Sequence, residues 1–132
     1  MIVPNFVDLA ATLARIALGV LFLVHGWPKI RNPKGTIGWV KGTGWPGGAA
    51  FASLAIALEF FGGIGLLLGF LTQVAAAFFA LEMVGTAIFS KKQLGKKFVL
   101  GYELDVAYLA LALTVALLGP GPWSLDRLLG IG

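Results

Sequence analysis

Four long apolar runs, none holding more than two charged residues in its interior, set the limits on how this chain folds. They lie at about 8–26, 49–70, 72–90 and 102–118 of the 132 residues. Each comes close to the ~20 residues with which a helix crosses ~30 Å of hydrocarbon. A water-soluble domain of this size lacks the interior to hide them, since 58% of the residues are hydrophobic and 12% charged, with a mean hydropathy of +0.91. No run alternates polar and apolar residues as a membrane barrel strand would. The expected fold class is all-α: an integral membrane bundle of four transmembrane helices, forming one domain over residues 1–132.

The ends of the runs carry further information. The first is expected to stop at Trp27-Pro28, where proline interrupts a helix. It contains Arg15, lacks a basic leader and runs into a Trp/Lys-rich loop, so it does not read as a cleaved signal peptide. The second and third are separated so briefly at Leu71 that they must form an antiparallel hairpin. The fourth has a short uncharged core, Val106 to Leu118, and reaches spanning length only if Tyr102, Glu103 and Asp105 form its first turns. Gly119-Pro120-Gly121-Pro122 ends it sharply. Within the loop from Trp27 to Gly48, the stretch Gly35 to Gly42 reads either as a short interfacial element or as an irregular basic loop against anionic headgroups.

Net charge is +4, yet nucleic acid is not the expected partner, because the basic residues report on topology. Lys29, Arg31, Lys34 and Lys41 fall in one loop, and Lys91, Lys92, Lys96 and Lys97 in another on the same side. The positive-inside rule then places both termini outside in a multi-pass cell-membrane protein. Trp27, Trp39, Trp45 and Trp123 all lie beyond the apolar cores, as interfacial anchors do. The chain has no cysteine, which excludes thiolate metal sites and dithiol relays, and its single histidine cannot hold a haem between two histidines of one chain. No metal constellation, nucleotide fingerprint or nucleophile–base pair is present, so any redox chemistry has to come from a bound cofactor or a partner.

Arg15-x-x-x-Gly19-x-x-Phe22-x-x-His25-Gly26-x-x-Lys29 resembles the first-helix signature of the DoxX family. Gly44-x-Pro46 leading into Glu59-x-x-Gly62-Gly63 and Gly69 is similar to its second-helix pattern, and Gly119 to Asp126, GPGPWSLD, to its carboxy-terminal one. The resemblance implies a four-helix membrane protein described as an oxidoreductase subunit. Some relatives are linked to a thiosulfate:quinone oxidoreductase and others to membrane complexes handling thiol or oxidative stress. Two functions of different class stand side by side. One is a subunit holding a quinone or another small redox lipid in the bundle and working with a soluble redox partner or a membrane partner subunit. The other is a non-catalytic assembly or anchoring subunit, or a carrier of a small apolar ligand.

Two residues are candidates for proton chemistry. His25 is the side chain best matched to proton exchange near neutral pH, although a histidine at a helix end also bonds free carbonyls. Glu82 belongs to a polar cluster of Arg15, Glu59 and Glu82 with Asp105 at its edge. Ionisable groups at mid-span cost roughly 2.5–3.5 kcal/mol each, so they are expected to meet one another or water. With termini outside, Arg15 lies about 10 Å below the outer surface and Glu59 and Glu82 about 15 Å, a difference an arginine can bridge. One arginine cannot neutralise two glutamates, so one acid is expected to hold an exchangeable proton; alternatively the set only fixes helix packing. Gly62, Gly65 and Gly69 share a stripe suited to a close helix contact, within the bundle or in a homo-oligomer. Phe78, Phe79 and Phe89 can line a quinone slot or simply face lipid.

Overall fold

The computed structural model describes residues 2–132, with side chains from Phe6 onward. Helices form along the apolar runs because a backbone in hydrocarbon has no water to bond and must pair its own N–H and C=O groups. In order they are α1 (Ile2–Arg31), α2 (Pro33–Gly42), α3 (Gly48–Ala57), α4 (Gly63–Leu68), α5 (Thr72–Lys92), α6 (Glu103–Leu118) and the short α7 (Leu125–Leu128). No strand occurs among the described residues. α3 and α4 are halves of one span, Gly48–Leu68, joined through a π-helical turn at Leu58–Gly62. Four segments are long and apolar enough to cross a membrane, as the runs required.

Two boundaries differ from expectation. α1 does not stop at Trp27-Pro28 but continues to Arg31 with Pro28 inside it. An interior proline costs about 3 kcal/mol, and the added turn carries Lys29 to the buried Glu59. α6 starts at Glu103, leaving Tyr102 in a turn whose Val99, Leu100 and Gly101 are not helical. Glu103 closes that turn by accepting from the Leu100 N–H at 2.7 Å. At 1.5 Å per residue the helix itself measures about 24 Å, and the apolar turn before it completes the crossing. The first loop resolves as a helix, α2, opened by the Asn32 side chain accepting from Gly35 N–H, with Pro33 in its first turn. Val40 is buried while Lys34, Trp39 and Lys41 are exposed, so α2 has the two faces of an interfacial helix.

α1 is the hub. It packs along the second span on one side and against α6 on the other, while α5 packs on α6. The second span meets α5 through α4 and the π turn and parts from it along α3. At mid-height the core is dry: Phe22 stacks on Phe79 with ring centroids 3.7 Å apart, among fully buried Leu18, Leu66, Ala76, Ala112 and Val115. The crossing of α1 with α4 uses Gly19 and Gly63. A Cβ on Gly19 would stand 3.0 Å from the Gly63 carbonyl oxygen, and one on Gly63 2.9 Å from Leu23. The stripe Gly62, Gly65 and Gly69 therefore does not act as one contact. Gly62 abuts the Phe79 ring, Gly65 lies under the Phe70 carbonyl, and Gly69 ends α4 at φ +70°.

Candidate functional site

Polar side chains gather in two layers, above and below the dry core. The upper layer is built on Arg15, which is 2% exposed and does not reach the glutamates. Its guanidinium donates to four carbonyls: Leu66 at 2.7 Å and Leu67 at 2.8 Å from Nη1, Pro120 at 2.9 Å from Nε, and Trp123 at 2.8 Å from Nη2. Side chains on a helix lean toward its N-terminus, which for α1 is away from Glu59 and toward the free carbonyls at the end of α4. Asp126 completes this layer. Its carboxylate accepts from the N–H groups of Leu71 at 2.6 Å and Thr72 at 2.9 Å, capping α5 from another part of the chain. Gly69 is required here, because a Cβ on it would collide with Ser124.

The lower layer holds the acids. The π turn adds a residue to the helix, and Glu59 lies buried within it. Both Glu59 oxygens accept from Lys29 Nζ at 2.8 Å, and the Lys29 side chain is 35% exposed at its rim. α1 comes this close because residue 26 is glycine; a Cβ there would stand 3.0 Å from the Glu59 backbone carbon. Glu82 is buried on α5 with no hydrogen-bond donor on either oxygen, and the charged groups around it are Glu59, Lys29 and Asp105. Two carboxyl groups can share a hydrogen bond only when one holds a proton. Asp105 accepts from Thr86 Oγ1 at 3.0 Å. His25 is exposed on the face between α1 and α6, where its Nε2 pairs with the Tyr108 hydroxyl at 2.9 Å. It lies mid-helix, since α1 runs on, and so does not cap a helix end.

The expected cluster is thus divided: Glu59, Glu82 and Asp105 come together, Lys29 replaces Arg15 as the cation, and Arg15 belongs to the other layer. Sequence reasoning missed Lys29, Thr86, Tyr108 and Asp126. The spacing Gly26-x-x-Lys29 was the available signal for Lys29, and the terminal motif for Asp126.

Two cavities flank the acids where the second span parts from α5. One, of about 440 Å³, opens on the basic side under α2 and reaches Lys29, Glu59 and Thr86 past Asn32, Thr36 and Trp39. The other, of about 590 Å³, is an apolar groove lined by Phe51, Leu54, Leu58, Phe61, Phe78 and Leu81, with Glu82 as its acid. Leu54, Phe61, Phe78 and Leu81 are each more than half exposed, so the groove faces the lipid. Phe79 is instead core, and Phe89 packs among Trp39, Trp45 and Phe51 under the first cavity.

The DoxX family model matches residues 10–92. An Escherichia coli strain K12 protein named "Inner membrane protein YqjF" is 36% identical over 127 residues, covering 92% of this chain and 93% of that protein. A Bacillus subtilis strain 168 protein named "Putative oxidoreductase CatD" is 31% identical over 119 residues, covering 90% and 86%. "Inner membrane protein YphA", also of Escherichia coli strain K12, is 30% identical over 122 residues, covering 87% and 86%. No solved structure matches the chain.

Proposed function

The chain belongs to the DoxX family of membrane proteins, and from that premise we propose that it is the membrane subunit of an oxidoreductase, binding a quinone or another small redox lipid in the groove beside Glu82. The observation that carries this reading is the Glu82 carboxyl, buried without a donor at an otherwise apolar, lipid-facing groove. The residues fit such a ligand. Its ring and tail are apolar, its carbonyl oxygens accept hydrogen bonds, and a carboxylic acid is the donor that suits them. The groove's volume lies within the ~300–1,000 Å³ usual for small-molecule sites. A bound quinone supplies acceptance of two electrons and two protons. Glu82 orients its head group and hands over a proton, while Phe51, Phe61 and Phe78 hold the ring and exclude water. A chain without cysteine draws the electrons from a soluble partner, and the name of the Bacillus subtilis relative is in keeping with redox work. His25 stands on a different face and takes no part in this groove.

The test is a titration of the purified protein in lipid nanodiscs with a short-chain quinone, alongside mass spectrometry of co-purifying lipids. Glu82→Leu, an apolar side chain in apolar surroundings, is expected to weaken binding about tenfold or more, the ~1.4 kcal/mol of a lost hydrogen bond. Undiminished binding by the variant, or none by the native protein, contradicts the reading and favours an anchoring subunit.

A further inference from the structure

Glu59 and Glu82 line neighbouring cavities that share Phe51 and Ala55 in their walls, and each carboxyl lies within the other's electrostatic reach. Glu82 belongs to the lipid-facing groove, and Glu59 to the cavity under α2 that opens on the basic side. Lys29 grips Glu59 by both oxygens and is itself 35% exposed. Asn32 and Thr36 line the way in. Toward the other side of the membrane the path is shut, first by the dry layer of Leu18, Phe22, Leu66 and Phe79, then by Arg15 and the carboxy-terminal segment it holds. The remaining charged neighbour of Glu82, Asp105, already accepts from Thr86 and lines neither of these two cavities.

We propose that Lys29 and Glu59 form a proton relay joining water on the basic side of the membrane to Glu82. The inference rests on Glu82 being the proton donor to a ligand in the groove. When Glu82 has given up its proton, the Lys29 ammonium passes one to Glu59: an N–H bond breaks and an O–H bond forms. Glu59 passes it on to Glu82 and is a carboxylate again. The neutral Lys29 amine then takes a proton from water in the cavity, restoring the ion pair. No electron moves, and the net event is the uptake of one proton from the basic side. Lysine suits the first position because an ammonium can release its proton, whereas a guanidinium effectively never does.

Arginine at position 29 therefore separates a relay from an ion pair. Lys29→Arg keeps the charge and the contact with Glu59 but cannot pass a proton. The readout is hydrogen–deuterium exchange of the Glu82 carboxyl in nanodiscs, followed as the isotope shift of its infrared carbonyl band, which is assigned by its disappearance in Glu82→Gln. We expect prompt exchange in the native protein and exchange slowed by about 100-fold in Lys29→Arg, as for loss of a positioned acid–base group. Should that variant not fold, the double variant Lys29→Met with Glu59→Gln removes both charges together and is expected to show the same slowing. Native-like exchange in either variant, or the lack of any band sensitive to Glu82→Gln, overturns the relay. The readout needs no ligand, so its failure is distinguishable from failure of quinone to bind.

Discussion

Arg15 makes more hydrogen bonds than any other side chain described, and all of them go to backbone carbonyls. Charge counting finds acids for an arginine and overlooks carbonyls left free at a helix end, which is why this partnership was not legible in the sequence. The difference has a measurable consequence. Arg15→Leu is expected to destabilise the protein by about 3 kcal/mol or more in detergent melts, because several buried carbonyls lose their donor. Adding Glu59→Gln should give no rescue, since Glu59 does not touch Arg15. Rescue belongs to the other pair: Lys29→Met strands the buried Glu59 charge, and Lys29→Met with Glu59→Gln is expected to melt higher than the single variant. Equal melting of those two would separate Lys29 from Glu59. That Glu59 and Glu82 lie at one depth was readable by counting residues along the spans, whereas Asp105 entered the expected cluster only at its edge.

At the scale of elements, the π turn at Leu58–Gly62 brings Glu59 to the pair with Lys29 and toward Glu82. Apolar periodicity gave the length of this span but not the extra residue, because one added residue barely alters hydropathy while turning the rest of the helix by about 100°. Deleting Phe61, which faces lipid within the turn, is expected to return the span to regular α-helix with a folded protein and a lost Lys29–Glu59 pair. Deleting Leu54 from the regular α3 should instead misalign one half of the span and leave little folded protein. Comparable yields and melting temperatures for the two deletions would contradict the idea that the turn holds the surplus residue. α7 and the segment before it act likewise at the opposite end. Asp126→Ala removes both cap bonds at the start of α5 and is expected to cost about 1–2 kcal/mol, read by thermal unfolding.

Across the whole molecule the two ends differ. One is closed by Arg15, Asp126 and the carboxy-terminal segment; the other opens beneath α2 among the lysines. The four spans were legible because hydrocarbon imposes length and patterning directly. The two cavities were not, since they arise where the second span parts from α5, and that depends on packing. With basic segments on one face, the positive-inside rule leads us to propose that both termini lie outside the cell. A single cysteine introduced at Lys92, in a chain with none of its own, should resist an impermeant thiol reagent in intact cells. Labelling from outside would invert the topology and the side from which protons enter. Photolabelling with a quinone bearing a reactive group on its ring tests the groove most directly, with the modified residues mapped by mass spectrometry. Adducts should concentrate on Phe51, Phe61, Phe78 and Leu81 and fall sharply in Glu82→Leu. Adducts spread over other lipid-facing residues, or unchanged in that variant, would show that this groove is not where a redox lipid binds.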